Sequence, residues 1–572
     1  MPRFVEFTTN FATGELDPLL RARVDLTAYN NNALAKATNV LIQPQGGLRR
    51  RPGTKHIFEL PNASAGASSA GDGVRLVSFQ FSVADSYMLC FTHNRMHVVK
   101  NGAIVTNING TGNSYLTTTI SSDMVDDMCW TQSADTLIVV HPDLQPIKIV
   151  RGASDSLWTA STITFDSIPK YAYTLAATNP AATLTPSAVS GNVTLTASAG
   201  VFSAGSVNQY VNVNTQGRAR IVEYVSTTVV KAITEYPFFD TSAVASGGWE
   251  LETGYVDVWS STKGWPRTVT FHEGRLYFGG SKSRPSTIWG SKIGLFFDFV
   301  PTESLDDDAV EATLDTNDLN VITDIISSRD FQVFTTGGEF YIPQANTDPV
   351  TPLTFTFKNV SRNGIKPGTR VQSVESGSIY IQRQGKSLNE FVFSDTQLTY
   401  ITQRISLLSG HLLKGPQRIA LRRASSTEEA DLLLMTNTDD GSMAVFSIMR
   451  SQQVTSPSEF LTDGEFIDVG VDVNAIYAVT KRVFNGTTRY FIELFGYEYF
   501  TDCAFVGGAA ASASSLPHVA KSLNVICDGS PQGNETVSGG GSVTFDRSST
   551  TSYEVGLPIT VYVKTMPAEV KL

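Results

Sequence analysis

Few stretches of this chain combine residue types that do chemistry, and the densest is LIQPQGGLRRRPGTK at residues 41–55. Gly46 and Gly47 sit beside Arg49, Arg50 and Arg51. Guanidinium groups in a row could cradle a phosphate, follow a nucleic-acid backbone, or pair with carboxylates of the same or a neighbouring subunit. A nucleotide loop needs a strand–loop–helix setting and a Lys-Ser/Thr pair, and both are missing here. Pro44 and Pro52 bracket the stretch and stiffen it as an exposed connector. A role within the chain or between subunits is therefore favoured over DNA binding.

Other candidates weaken on inspection. His93 and His97 have the spacing of a helical metal pair, but they fall in a strand–turn–strand stretch with no third ligand nearby. The run LDDDAVEATLDTND holds Asp306, Asp307, Asp308, Glu311, Asp315 and Asp318. Calcium uses such carboxylates, yet the glycine and terminal glutamate of a calcium loop are absent. The run reads as a solvated acidic loop leading into a short helix near Asp306 to Leu314. Facing carboxylates could hydrolyse a glycoside. Asp85, Asp135, Asp330 and Asp431, however, recur at one position, immediately before a strand, which points to a repeated turn. Trp130, Trp265 and Trp289 read as core aromatics at strand edges. There is no Gly-x-Ser-x-Gly elbow and no phosphate loop. The expectation is a protein without cofactor, metal or enzymatic activity.

The elements that carry these residues are strands. At 572 residues the chain exceeds one ordinary core. The stretch VSFQFSV places Val77, Phe79, Phe81 and Val83 alternately with polar residues, the period of a half-buried strand. A strand–turn–strand unit follows it, and SADTLIVVHPDLQPIKIVRG repeats that unit 50 positions downstream. Looser copies lie at 272–280, 329–342, 376–393, 430–448 and 474–495. Repeats of this length predict an all-β fold, a β-propeller of six or seven blades. Residues 166–252, rich in Thr, Ser, Ala and Val, predict an inserted small β-barrel or sandwich. Residues 501–572 predict a small C-terminal β domain after a flexible GGAAASASS stretch. The remaining divisions are an N-terminal segment (1–60) with the arginine connector, first blades at 61–165 and further blades at 253–500. The best helix signal is residues 25–40, with Asp25 as cap and Leu26, Tyr29, Ala33 and Ala37 on one side.

Charge and cysteines bound the function. The formal net charge of −11 argues against a protein whose main task is gripping DNA or RNA. No apolar run spans a bilayer, and the N-terminus lacks signal-peptide character. Four scattered cysteines read as free thiols of a protein made in a reducing compartment.

Four blocks carry a resemblance. Residues 11–57 (FATGELDPLL through GGLRRRPGTKHI), 264–342 with its acidic loop, GKSLNEFVFS at 385–394 and TKRVFNGTTRYFIELF at 480–495 together resemble the tail nozzle proteins (tail tubular protein B family) of short-tailed bacteriophages. The resemblance implies a non-enzymatic virion subunit, assembled in the host cytoplasm, that forms a homohexameric ring below the tail adaptor. Such a ring encloses the ejection channel, retains the genome, docks fibres or spikes, and lets double-stranded DNA pass without sequence-specific binding. An acidic ring suits that task, since cations along the channel would bind phosphates. On this reading Arg49, Arg50 and Arg51 meet the neighbouring subunit or the adaptor. The alternatives are a tail hub or plug that stabilises packaged DNA, and a propeller-based glycan hydrolase.

Overall fold

The computed structural model describes residues 8, 10–21, 32–61, 70–301, 305–317, 319–344, 349–374, 377–452 and 454–567. They divide into two compact units. One holds residues 1–164, 264–296 and 301–572; the other holds 165–263 and 297–300.

The larger unit is a propeller of seven blades, each built on four antiparallel strands, with further strands widening the sheets of blades 1, 6 and 7 to five, seven and eight. Blade 1 runs from Arg75–Gln80 through Ser86–Thr92 and Arg95–Lys100 to Tyr115–Thr117. Blade 2 spans Cys129–Ser133 to Trp158–Thr162, and blade 3 spans Thr268–His272 to Val310–Thr313. Blades 4, 5 and 6 begin at Ile322–Ser327, Gln372–Val374 and Pro416–Arg422. Blade 7 comprises Glu465–Asp472, Ala475–Phe484, Thr487–Gly496 and, from the other end of the chain, Gly53–Leu60. The repeated hairpins of the sequence supply the two middle strands of their blades, except that the copy at 272–280 supplies only one, Arg275–Gly279. Middle strands are buried on both faces and so carry the strongest apolar signal.

Ring closure shows in the packing between blades. Phe79 and Leu89 of blade 1 share a cluster with Val139 and Ile147 of blade 2. Phe331 and Val333 of blade 4 pack on Ile288 of blade 3, and Phe334 meets Phe391 of blade 5. Leu388 packs with Leu433 and Phe446, Leu434 with Phe466 and Ala478, and Tyr477 and Ile492 with Leu76 and Met88 of blade 1. Between blades 2 and 3 the Cys129 thiol contacts the Thr268 hydroxyl at 3.2 Å. Each such Leu, Ile or Phe removed from water is worth about 1.5–3 kcal/mol. The four cysteines are buried and free.

The second unit is one seven-stranded antiparallel sheet, in spatial order Lys170–Thr178, Trp249–Asp257, Tyr210–Val213, Arg218–Ser226, Val229–Tyr236, Asn192–Ala197, Leu184–Pro186. Trp249, Leu195, Val211, Ile221 and Val230 form its core. It extends past the expected boundary at 252 to Lys263.

Three local expectations are corrected. Of the helix expected over 25–40, residues 25–31 lie outside the described residues, and Ala33–Thr38 is a strand beside Gly14–Glu15. Leu34 and Ala37 are buried with Val40 and Ile42, so tertiary packing overrides a weak, asparagine-diluted helix signal. The short helix near Asp306 is replaced by Val310–Thr313, the fourth strand of blade 3. There the Arg275 guanidinium takes up the carbonyls of Asp306, Asp307 and Asp308, which a helix would need for itself. GGAAASASS is ordered: Asp502–Gly507 and Ala510–Ala513 are strands, the latter paired with Val543–Ser549. Gly507 serves close packing, since a Cβ there would stand 2.4 Å from the Tyr553 ring.

The C-terminal domain is built onto blade 7. Gly53–Leu60 has Thr487–Gly496 on one edge and Asp502–Gly507 on the other, so the blade sheet continues into the C-terminal strands as eight in all. Phe484 and Phe491 of the blade share a core with Leu523, Val525, Val543 and Val555.

Candidate functional site: the arginine joint and the propeller axis

The arginine stretch forms a hairpin, Val40–Ile42 against Leu48–Arg50, ahead of the closing strand of blade 7. Its turn is fastened by Gln43 N–H to Gly47 O (2.9 Å) and Gly46 N–H to Gln43 O (2.8 Å). Gly46 has φ +90°, and a Cβ would lie 2.1 Å from that of Asn10, so this position requires glycine.

The three arginines have different fates. Arg51 is fully buried. Its Nε donates to Asn39 Oδ1 (2.8 Å), Nη1 to Pro52 O and Asp502 Oδ1 (both 2.9 Å), and Nη2 to Leu461 O (2.9 Å) and Asp502 Oδ2 (2.5 Å). All five N–H donors are consumed inside the chain, leaving none for a neighbouring subunit or an adaptor. For Arg51 the expected interface role is thus corrected to an internal one: it joins the hairpin to the start of the C-terminal domain. Arg50 is half-buried and donates to Phe500 O (3.0 Å) and Tyr499 O (2.9 Å). Arg49 is exposed, its guanidinium 3.4 Å from the centroid of the Tyr497 ring.

A second buried pair adjoins this joint. Arg482 donates to Glu493 through Nε (2.8 Å) and Nη2 (2.9 Å), and the Thr480 and Thr54 hydroxyls donate to the same carboxylate at 2.5 Å each. Burial alone would raise the Glu493 carboxyl, but Arg482 and the two hydroxyls hold it down at about 2. Thr54 also reaches Asp502 (3.5 Å), linking the two ion pairs into one network.

The acidic loop lies on another element, in blade 3. Asp306 and Asp307 are exposed, whereas Asp308 is buried and accepts from Ala309 N–H at 2.8 Å. Among the described residues no group of three or more His, Cys, Asp or Glu is arranged to hold a metal ion. His97 is buried with Nδ1 on Ser114 O (3.0 Å), and burial pushes it down to about 4. His93 meets Ser122 instead. The recurring aspartates serve turns and blade junctions: Asp85 pairs with Lys100 (2.6 Å), Asp135 accepts from Thr136 (2.9 Å), Asp330 from Tyr400 of the next blade (3.0 Å), and Asp431 from Ala424 N–H (2.7 Å). Trp289 is fully buried.

Sequence patterning missed the propeller axis. Asp324 of blade 4 accepts from its neighbour Ile325 N–H (3.0 Å), from Val371 N–H before the blade 5 strand (3.0 Å) and from Thr268 of blade 3 (3.2 Å). Asp468 of blade 7 does the same with Val469 N–H and Leu76 N–H of blade 1, each at 2.7 Å. Two inner-strand aspartates thus staple successive blades in one way. Three arginines, Arg75, Arg370 and Arg418, converge beside them around a cavity of about 270 Å³. They come from blades far apart in sequence, and no local motif announces them.

No protein-family model matches the chain. No curated protein matches it either. Solved structures similar to it include a phage phi92 endosialidase, at 10% identity and TM-score 0.25 over 78% of this chain and 66% of the other. The chain thus spans just under two thirds of that protein. A protein from Lactobacillus plantarum aligns at 10% identity and TM-score 0.27 over 62% of this chain and 98% of its own. An auxiliary nutrient binding protein from Bacteroides thetaiotaomicron aligns at 7% identity and TM-score 0.21 over 55% and 98%. Likenesses at this level carry no functional argument.

Proposed function

We propose that the chain is the tail nozzle subunit of a short-tailed bacteriophage: a structural, non-enzymatic protein whose homohexamer forms a ring below the tail adaptor, encloses the DNA channel and docks fibres or spikes. The observation that carries this reading is the four-block resemblance at residues 11–57, 264–342, 385–394 and 480–495. All four blocks belong to the propeller unit apart from residues 297–300, and the first and last pair with each other, Gly53–Leu60 against Thr487–Gly496. The first and last blocks close the ring of blades and tie it to the C-terminal domain, which suits a part under mechanical load. The recurring aspartates are engaged within turns and blade junctions, which favours a scaffold over a hydrolase.

In that ring Arg49 and the exposed Asp306 and Asp307 are the proposed contacts with neighbouring subunits, being of opposite charge and uncommitted to the core. Immunogold labelling of intact virions with antibody raised against this chain tests the assignment. Label on the short tail supports it; label on the capsid, or on no part of the particle, refutes it.

A further inference from the structure

The axial cavity holds a buried guanidinium that the fold leaves without a direct ion pair. Arg370 is paired with Asp324, Nε to Oδ2 at 3.1 Å, and Arg418 pairs with the half-exposed Asp126. Arg75 is buried, and among the described residues no carboxylate lies within 4 Å of it. Asp468, also in the wall, supports it electrostatically but spends its hydrogen bonds on the Leu76 and Val469 amides and lies 3.9 Å from Arg418 Nε, and Arg75 Nη1 meets no acceptor at all. The ring of Trp130 also supports the guanidinium, with Arg75 Cζ at 5.1 Å and Arg370 Cζ at 4.8 Å from its centroid. Burial and the neighbouring Arg418 lower the Arg75 proton affinity to about 9, so the group is still a cation at neutral pH. A buried cation without a directly hydrogen-bonded anion is costly, and an anion entering the cavity relieves that cost. Ser78 and Gln372 add neutral polar groups to the wall.

We propose that this cavity binds a small oxyanion, a phosphate or a carboxylate, with Arg75 as principal ligand and Arg370 and Arg418 as the other guanidinium groups of a wall that Asp468 also lines. The planar fork of a guanidinium matches two oxygens of either group, which chloride cannot reproduce. The site is independent of the nozzle reading. A ligand there would bridge blades 1, 5 and 6 and stabilise the closed ring by mass action.

The test titrates inorganic phosphate and, separately, glucuronate into the purified full chain at constant ionic strength set with chloride. Tryptophan emission and the thermal midpoint are followed together. We expect a saturable emission change with half-saturation near ~1 mM, a raised midpoint, and at least a ~10-fold weaker response in Arg75→Met. Response to phosphate alone identifies a phosphate site, and response to both identifies a general oxyanion site. Should Arg75→Met fail to fold, Trp130→Phe takes its place: the ligand-induced emission change should vanish while the midpoint shift persists. No saturable response to either anion overturns the proposal, as does an equal response to chloride, an undiminished response in Arg75→Met, or an unchanged emission response in Trp130→Phe.

Discussion

Arg51 and Arg49 are two residues apart and differ in almost every physical respect. Truncating Arg51 to Ala strands the buried Asp502 carboxylate, which should cost about 3–5 kcal/mol. Truncating Arg49 removes an exposed cation–π contact worth about 0.5–1 kcal/mol. Urea unfolding of the two variants checks this, and equal destabilisation would refute the internal role of Arg51. The double change Arg51→Met with Asp502→Leu should recover much of the loss, because no charge is then left alone. Histidines set a second expectation. Burial pushes His56 and His97 down to about 4 and His518 to about 3, from an ordinary value of 6.5. Each is neutral in the fold, so between these values the unfolded chain binds more protons. Their stabilisation is complete above pH ~6.5 and is lost as the pH falls towards ~4, on the order of 2–3 kcal/mol each. His518→Phe should flatten that decline in unfolding midpoints between pH 7 and 4; an unchanged slope would contradict the buried, uncharged state. Glu493, held at about 2, loses its contribution only at lower pH.

At the scale of elements, the strand hairpins were legible because their apolar runs are driven by burial on both faces. Val139 and Leu433 announce middle strands directly, whereas Val77 and Phe79 show the period of two of a first strand that ends at Gln80, leaving Phe81 and Val83 exposed. What stayed hidden depends on partners distant in sequence. Ala33–Thr38 becomes a strand because Gly14–Glu15 and the C-terminal Tyr562–Thr565 pair with it, and no local propensity encodes that. Arg51 looked available as an exposed cation between prolines, while its partner Asp502 lies 451 positions away. The axial aspartates show the same limit, since their staples join different blades. Replacing Asp468 by Ala frees the amides of Leu76 and Val469 at the junction of the last and first blades, and should cost about 1–3 kcal/mol. Hydrogen exchange should then rise first in Arg75–Gln80 and Glu465–Asp472. Uniform exchange across all seven blades would argue against a junction-specific staple.

For the whole molecule, closing the seventh blade with Gly53–Leu60 makes the propeller depend on residues from both ends of the chain, which guards against partial unfolding from either end. The fold itself does not dictate a tail function, because propellers serve many tasks. The nozzle assignment rests on the four-block resemblance and gains from the placement of the first and last of those blocks in ring closure. Its central claim is assembly. Electron microscopy of the purified chain, with particle averaging, tests it most directly. The account predicts six-fold rings around an open channel; single propellers at every concentration, or a three-fold plug without a channel, would contradict it.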